Sequence, residues 1–304
     1  MPWSASSCVS WSLFTLKNLH TRNFEYAQIH AIRNYTPMYI AFAGKGSSGK
    51  STIAALALSW LLRQFANRPL VIDADPHQSL CTLLRVQPPA TLGGLRSQYE
   101  RALLTGRDEA LRPDETRVAF AERLLADEAL HQANGFDLLA LGQWELPGSQ
   151  CTPNRVLGYA LAQLLPRYPL TLIDHEAGVE HIGRFNEVPI DVLIVVATPE
   201  ALSLDVAGRI LEHARTVGRA VRSAALLLNR VQPGDLDDPA VSEALARLEG
   251  AGLPLAAALP ESRGLRACSR AGSGPLALDA ADPWRLELEA VLPALLRHDR
   301  YARL

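Results

Sequence analysis

Gly44-Lys45-Gly46-Ser47-Ser48-Gly49-Lys50-Ser51-Thr52 is the stretch from which the rest of this chain is read. It satisfies G-x-x-x-x-G-K-[ST] through Gly44, Gly49, Lys50 and Ser51. Just upstream stands the apolar run MYIAFA, and just downstream STIAALALSWLL, which has the length and spacing of a helix. In that setting the glycines let backbone N–H groups turn inward around phosphates, and the helix start adds its positive dipole end. Lys50 is expected on the β- and γ-phosphates of a nucleotide, and the Ser51 hydroxyl on Mg²⁺.

The composition sharpens this reading. Of 30 basic residues only Lys17, Lys45 and Lys50 are lysines, and two of those three lie in the phosphate loop. Arginine is bulky and planar, whereas a loop of glycines and phosphates asks for a slim point charge. With 32 acidic residues the net charge is −2, which gives no support to nucleic acid or an anionic membrane as the main partner. Cys8, Cys81, Cys151 and Cys268 are too few and scattered for a disulfide framework, so a reducing cytoplasm is expected. No run of 18 apolar residues occurs.

Working outward, strand-length apolar runs are expected at 39–43, 70–73, 137–141, 170–174, 192–197, 223–228 and 255–259. Helical patterns fall at 50–64, 154–165, 202–216, 239–248 and 285–296. The alternation predicts a three-layer α/β P-loop NTPase fold, with a mostly parallel central sheet and helices on both faces. Residues 91–135 break the rhythm and read as a helical insertion without a strand over one sheet edge. In the last helix Pro293 is expected to interrupt the turn pattern, and the segment reads as a packed C-terminal helix. Residues 1–37 carry six of the 19 aromatics and a single acidic residue, Glu25. They can be read as a transit peptide or as an upstream extension without a core, and the second is preferred. One P-loop domain is then expected over 38–304.

Three further carboxylates end apolar strands. Asp73 and Asp75 lie in VIDADP, and Asp174 closes LTLID ahead of His175-Glu176-Ala177-Gly178. A carboxylate at a strand end beside a phosphate loop suits water-mediated Mg²⁺ binding, and a glycine after it suits a loop that senses the γ-phosphate.

Lys45, directly after the first glycine, gives the loop a resemblance to the deviant Walker A motif of the MinD/ParA/nitrogenase-iron-protein class, K-G-G-x-x-K-[ST]. The resemblance implies an ATP-dependent homodimer in which Lys45 reaches across the interface to the partner's nucleotide. It implies that Asp75 positions the attacking water while Asp73 supports the magnesium shell or orients switch I. Asp174 and Gly178 then take the Walker B and switch II roles. Asn229-Arg230 would meet the adenine edge, and the Pro260-Glu261 loop would pack beside the base. Ser47 departs from the motif's second glycine; a serine can fit there if its φ is negative, at the expense of tight approach between subunits.

Asp174-His-Glu-Ala-Gly-Val-Glu-His181 is more specific. It resembles the D-N-E-A-G-x-E-H stretch of carbon-monoxide dehydrogenase maturation ATPases of the CooC type, which serve nickel insertion. Leu146-Pro-Gly-Ser-Gln-Cys151 stands where that family carries P-G-C-x-C, with Ser149 replacing the first cysteine. Cys151 is thus either a thiolate for Ni²⁺ or Zn²⁺ at a dimer interface or a small buried residue, and His175 or His181 could complete a ligand set. His181 beside Glu180 reads as a switch or interface hydrogen-bonder, or as a ligand. The client metalloenzyme is not named by the sequence. A ParA/MinD-like partition or positioning ATPase acting on DNA or membrane is the alternative, and a non-hydrolysing nucleotide scaffold is the third.

Overall fold

The computed structural model of the chain describes residues 37–95, 97, 128–143, 164–176, 190–216 and 221–296. Expectations on the 1–37 extension (Pro37 excepted), on most of 91–135, on all but the end of the 154–165 helix, and on Cys151, Gly178, Glu180 and His181 lie outside the described residues.

Eight strands form one sheet: β1 (Met38–Gly44), β2 (Leu70–Asp73), β3 (Leu130–Gln132), β4 (Asp137–Ala140), β5 (Leu170–Asp174), β6 (Ile190–Ala197), β7 (Val221–Val231) and β8 (Leu255–Pro260). Their order is β3-β4-β2-β5-β1-β6-β7-β8. Every pairing is parallel except β3 with β4. β1 therefore lies in the middle, with Ile40 opposite Leu172 on one side and Val192 on the other. All seven of its residues are buried, as the unbroken apolar run requires of a strand covered on both faces.

Side chains alternate between the two layers. Ile40 and Phe42 face a cluster built by α1 (Lys50–Gln64), α2 (Ser79–Leu84) and α6 (Pro283–Leu296). Tyr39 faces the opposite side with Leu70, Ile72, Leu139 and Tyr168, while Ala41 and Ala43 meet α3 (Ala201–Thr216) and α4 (Pro239–Gly250). α5 (Arg263–Arg270) follows β8 and has no buried residue. α1 runs through the core on Ile53, Leu56, Leu58 and Leu61, all at most 1% exposed. Its C-terminal turn is tied to α6 by Arg63–Glu289 at 2.6 Å, and Arg285 reinforces Glu289 at 2.8 Å.

Two expectations are corrected. Leu130–Gln132 is a strand inside the segment read as strandless; it adds antiparallel to β4 at the sheet edge, where two half-buried residues and an exposed one give no apolar run to detect. Pro293 does not break α6, which continues to Leu296. It sits in the last turn, where one lost hydrogen bond is offset by burial of Leu288, Leu292 and Leu296 along one face. Among the described residues no helix is long and apolar enough to cross a membrane.

Parallel pairing brings the C-terminal ends of β1, β2, β5, β6, β7 and β8 to one edge of the sheet, where open α/β sheets bind ligands. Gly44, Asp73, Asp174, Asn229 and Pro260 all lie at that edge.

Candidate nucleotide site

Gly44 ends β1 where β6 passes close by. A Cβ there would collide with the Val196 carbonyl and come within 2.9 Å of Ser48 Oγ, so only glycine lets the loop leave the sheet at this point. The chain then turns, with the Ser48 N–H donating to the Lys45 carbonyl at 3.1 Å. Gly49 caps α1 in the left-handed region (φ 94°), and no side chain caps its first N–H groups. Those donors are thereby left for an anion.

Ser47 is the one loop residue whose conformation contradicts expectation. Its φ is +68°, in the left-handed region, although it carries a Cβ. Ser47 accepts the steric cost of that conformation, of order 1 kcal/mol. Ser47 and Gly46 are exposed, and Lys45 is half-buried.

Lys50 and Asp174 meet as a buried ion pair, Nζ to Oδ1 at 2.6 Å, with side-chain exposures of 7% and 0%. Lys50 Nζ also donates to Ser51 Oγ at 3.1 Å. Asp174 Oδ2 is buried with no hydrogen-bond partner, as is Ser48 Oγ. Burial pushes the Asp174 carboxyl upward from its ordinary value and outweighs the opposing pull of Lys50. Lys45, one turn of the loop away, makes no ion pair or side-chain hydrogen bond among the described residues.

Asp73 is the register partner of Asp174 across β2 and β5 and is fully buried. Its Oδ2 accepts from the Cys81 N–H at 2.8 Å and its Oδ1 from the Asp75 N–H at 3.1 Å. Burial, with a further push from Asp174, raises its pKa to about 6 despite those donors. Asp75 differs. Burial pushes it up too, but the Ser79 hydroxyl (2.6 Å), the His77 N–H (2.9 Å) and the charge of Lys50 together hold it below its usual value. Asp75 is thus kept ionised at the loop between β2 and α2.

No sequence motif singles out Ser79 or Cys81 as a site residue. The signal available was local: Asp75 followed by Pro76 and, four residues on, Ser79 is the pattern of an Asx turn opening a helix. Asn229 is buried and donates from Nδ2 to the Ser48 carbonyl at 2.8 Å. Arg230 follows it with φ +61° and points to the exposed side, and Thr52 lies half-buried in the first turn of α1. Pro260 is exposed at the end of β8, and Glu261 pairs with Arg266 and accepts from Gln232 Nε2 at 3.4 Å. The P-loop, Asp73, Asp75, Asp174 and Asn229 are therefore joined by contacts, whereas Glu261 is engaged elsewhere.

The orphaned Asp174 Oδ2 beside Ser51 fits a hydrated divalent cation, an acceptor set of oxygen atoms being what Mg²⁺ takes. Among the described residues no group of three or more His, Cys, Asp or Glu side chains could hold a soft metal ion. A groove of about 550 Å³ between α3 and α4, lined by Leu204, Arg209 and Leu248 among others, includes none of the loop residues.

Comparison with known proteins agrees with this geometry. The model of the CobQ/CobB/MinD/ParA nucleotide binding domain matches residues 39–276. The chain is 31% identical over 196 residues to an uncharacterized ATP-binding protein of Methanocaldococcus jannaschii, covering 64% of this chain and 76% of that protein. It is 34% identical over 196 residues to the carbon monoxide dehydrogenase accessory protein CooC of Rhodospirillum rubrum, covering 60% and 70%. In fold it resembles a ParA family ATPase from Chlorobium tepidum (TM-score 0.60, 16% identity, 86% of this chain and all of that one). It also resembles the cell division ATPase MinD of Pyrococcus furiosus (TM-score 0.58, 18% identity, 85% and 98%).

Proposed function

The chain belongs to the CobQ/CobB/MinD/ParA nucleotide-binding family, and from that membership we propose that it is an ATP-hydrolysing dimeric switch that assists nickel insertion into a metalloenzyme such as carbon-monoxide dehydrogenase. The observation that carries the reading is the buried Lys50–Asp174 pair beside an unpaired Lys45. Lys50 has Asp174 as its counter-ion. Phosphate oxygens would replace that carboxylate on Lys50, leaving Asp174 free to join Ser51 as Mg²⁺ ligands, Asp174 through water. Mg²⁺ bound there would neutralise charge on the β- and γ-phosphates.

Asp75, held ionised by Ser79 and His77, orients the water that attacks the γ-phosphorus, so that ATP and water give ADP and phosphate. Lys45 completes the site of the second subunit, which makes turnover slow until two copies meet. We assign Asn229, Arg230, Pro260 and Glu261, at the ends of β7 and β8, to the adenine side of the site. The metal role is supported by the name of the Rhodospirillum relative and by the Asp174–His181 stretch. Ni²⁺ or Zn²⁺ would be held across the two-fold axis by Cys151, with Ser149 standing where a second thiolate is expected.

The test is the contrast between the two loop lysines. Lys50→Ala should abolish ATP binding. Lys45→Ala should bind ATP yet remain monomeric by light scattering with a non-hydrolysable analogue, and lose turnover; normal turnover in Lys45→Ala would defeat the cross-subunit role. Titrating Ni²⁺ and Zn²⁺ into wild type and Cys151→Ser under reducing conditions tests the metal, and equal affinities would remove Cys151 from it. One observation favours a second reading, a partition or positioning ATPase. Arg263, Arg266 and Arg270 lie exposed along one face of α5. ATP-dependent retardation of duplex DNA, lost in Arg263→Glu/Arg270→Glu, would select that reading instead.

A further inference from the structure

The phosphate loop works only if its N–H groups face inward, which turns its carbonyls toward protein. The Ser48 carbonyl belongs to a residue 2% exposed, so it needs a donor from the protein itself. The donor it receives comes from 181 residues away, Asn229 Nδ2 at 2.8 Å. We propose that Asn229 is a positioning residue that braces the P-loop for phosphate, whatever it does for the base. The inference rests on the ATP-binding reading of the same site and adds a role to it.

Three features are arranged around this one hydrogen bond. The β7–β8 register slips between Asn229 and Val231, so Arg230 forms an extra residue in the ladder. Arg230 adopts φ +61° there, a left-handed conformation that a bulky side chain rarely takes. Bulges beside active sites re-aim a neighbouring side chain, and this one turns Asn229 in beneath the loop. On the receiving side, a Cβ on Gly49 would collide with Asn229 Nδ2. Glycine at that place is thus demanded by the brace as well as by its own φ of 94°. A group placed only to read adenine would not need its amide nitrogen spent on the loop backbone; Oδ1 is the part left for a base.

The brace predicts a dependence that base recognition does not. Isothermal titration of the nucleotide-free full chain with ATP, GTP and inorganic tripolyphosphate separates the two, because tripolyphosphate has no base. Asn229→Leu, near-isosteric and uncharged, and Asn229→Ala both remove the donor. Each should weaken tripolyphosphate by about tenfold, the cost of an unsatisfied buried carbonyl, and ATP by at least the same factor. Hydrogen exchange should quicken at the amides of residues 46–51, while protection in β7 at Leu226–Leu228 stays as in wild type. That local pattern is what general destabilisation would not produce. Wild-type-like tripolyphosphate binding in both variants, with ATP alone weakened, would overturn the inference and leave Asn229 a base contact. Unchanged binding of both ligands would overturn it as well. If the wild type bound neither ATP nor tripolyphosphate, the ATP reading itself would fall.

Discussion

Replacing Lys50 by methionine should make this protein's stability steeply pH-dependent. Lys50 is the cation that Asp174 contacts in the core, and Asp73 stands opposite Asp174 on the next strand. Both carboxylates are fully buried, so solvent cannot take over from the lysine. Breaking one half of a buried pair costs about 3–5 kcal/mol, and here two like charges would be left facing each other. At pH 8 the ligand-free variant should therefore unfold about 1–1.7 M earlier in urea, taking an m-value of about 3 kcal/mol per M. Protonating one carboxyl removes the conflict. The folded variant then binds about one proton more than the unfolded chain, so its stability falls by about 1.4 kcal/mol for each unit the pH rises. The wild type has a weaker version of the same slope. Asp73, raised by burial to about 6 from 3.8, favours folding below pH 4 and loses that advantage as pH climbs through 6. In Lys50→Met the loss should extend past neutrality, so its deficit against the wild type should shrink by about 3 kcal/mol between pH 8 and pH 6. Adding Asp174→Leu to Lys50→Met should recover most of the stability at pH 8. Parallel pH profiles, or a deficit at pH 8 below about 1 kcal/mol, would refute the picture of a buried cation balancing two carboxylates.

Other outcomes follow from the same geometry. Ser47→Gly relieves a left-handed residue and should raise the melting temperature by about 2–4 °C, for a gain of about 1 kcal/mol; an unchanged or lower value in thermal unfolding would contradict the positive φ. Asp75→Asn keeps the shape of the Ser79 contact but removes the charge, so nucleotide titration should show ATP bound while phosphate release falls by at least about a hundredfold. Leu288, fully buried between α6 and the sheet, should cost about 2–5 kcal/mol as Leu288→Ala, read from the urea midpoint.

Which parts of this molecule could be read from sequence depends on how local their causes are. α1, β2 and β5 begin and end where expected, because an apolar run bounded by a glycine, an aspartate or a proline carries its own limits. The α5 helix escaped notice because RGLRACSR buries nothing and so shows no apolar stripe long enough to follow. The short α2, opened by Asp75-Pro76 and only six residues long, hid behind the same loop chemistry that revealed Asp75. Gly44, Gly49, Lys50, Ser51, Asp75 and Asp174 stood out because a glycine loop between strand and helix, and carboxylates at strand ends, carry fixed spacings; that they gather at one sheet edge follows from the parallel pairing. The bond from Asn229 to Ser48 did not stand out, since no spacing rule links residues so far apart. Nor did the positive φ of Ser47, which serine's own preference does not announce.

The tie between α1 and α6 has a practical side. Arg63 closes the helix that opens with Lys50, and Glu289 grips it from the C-terminal helix with Arg285 locked behind. Mechanically, α6 is a splint on the catalytic helix. A fusion, tag or cut that unseats α6 therefore loosens the far end of the helix whose near end carries Lys50. Expression designs should keep Pro283–Leu296 intact.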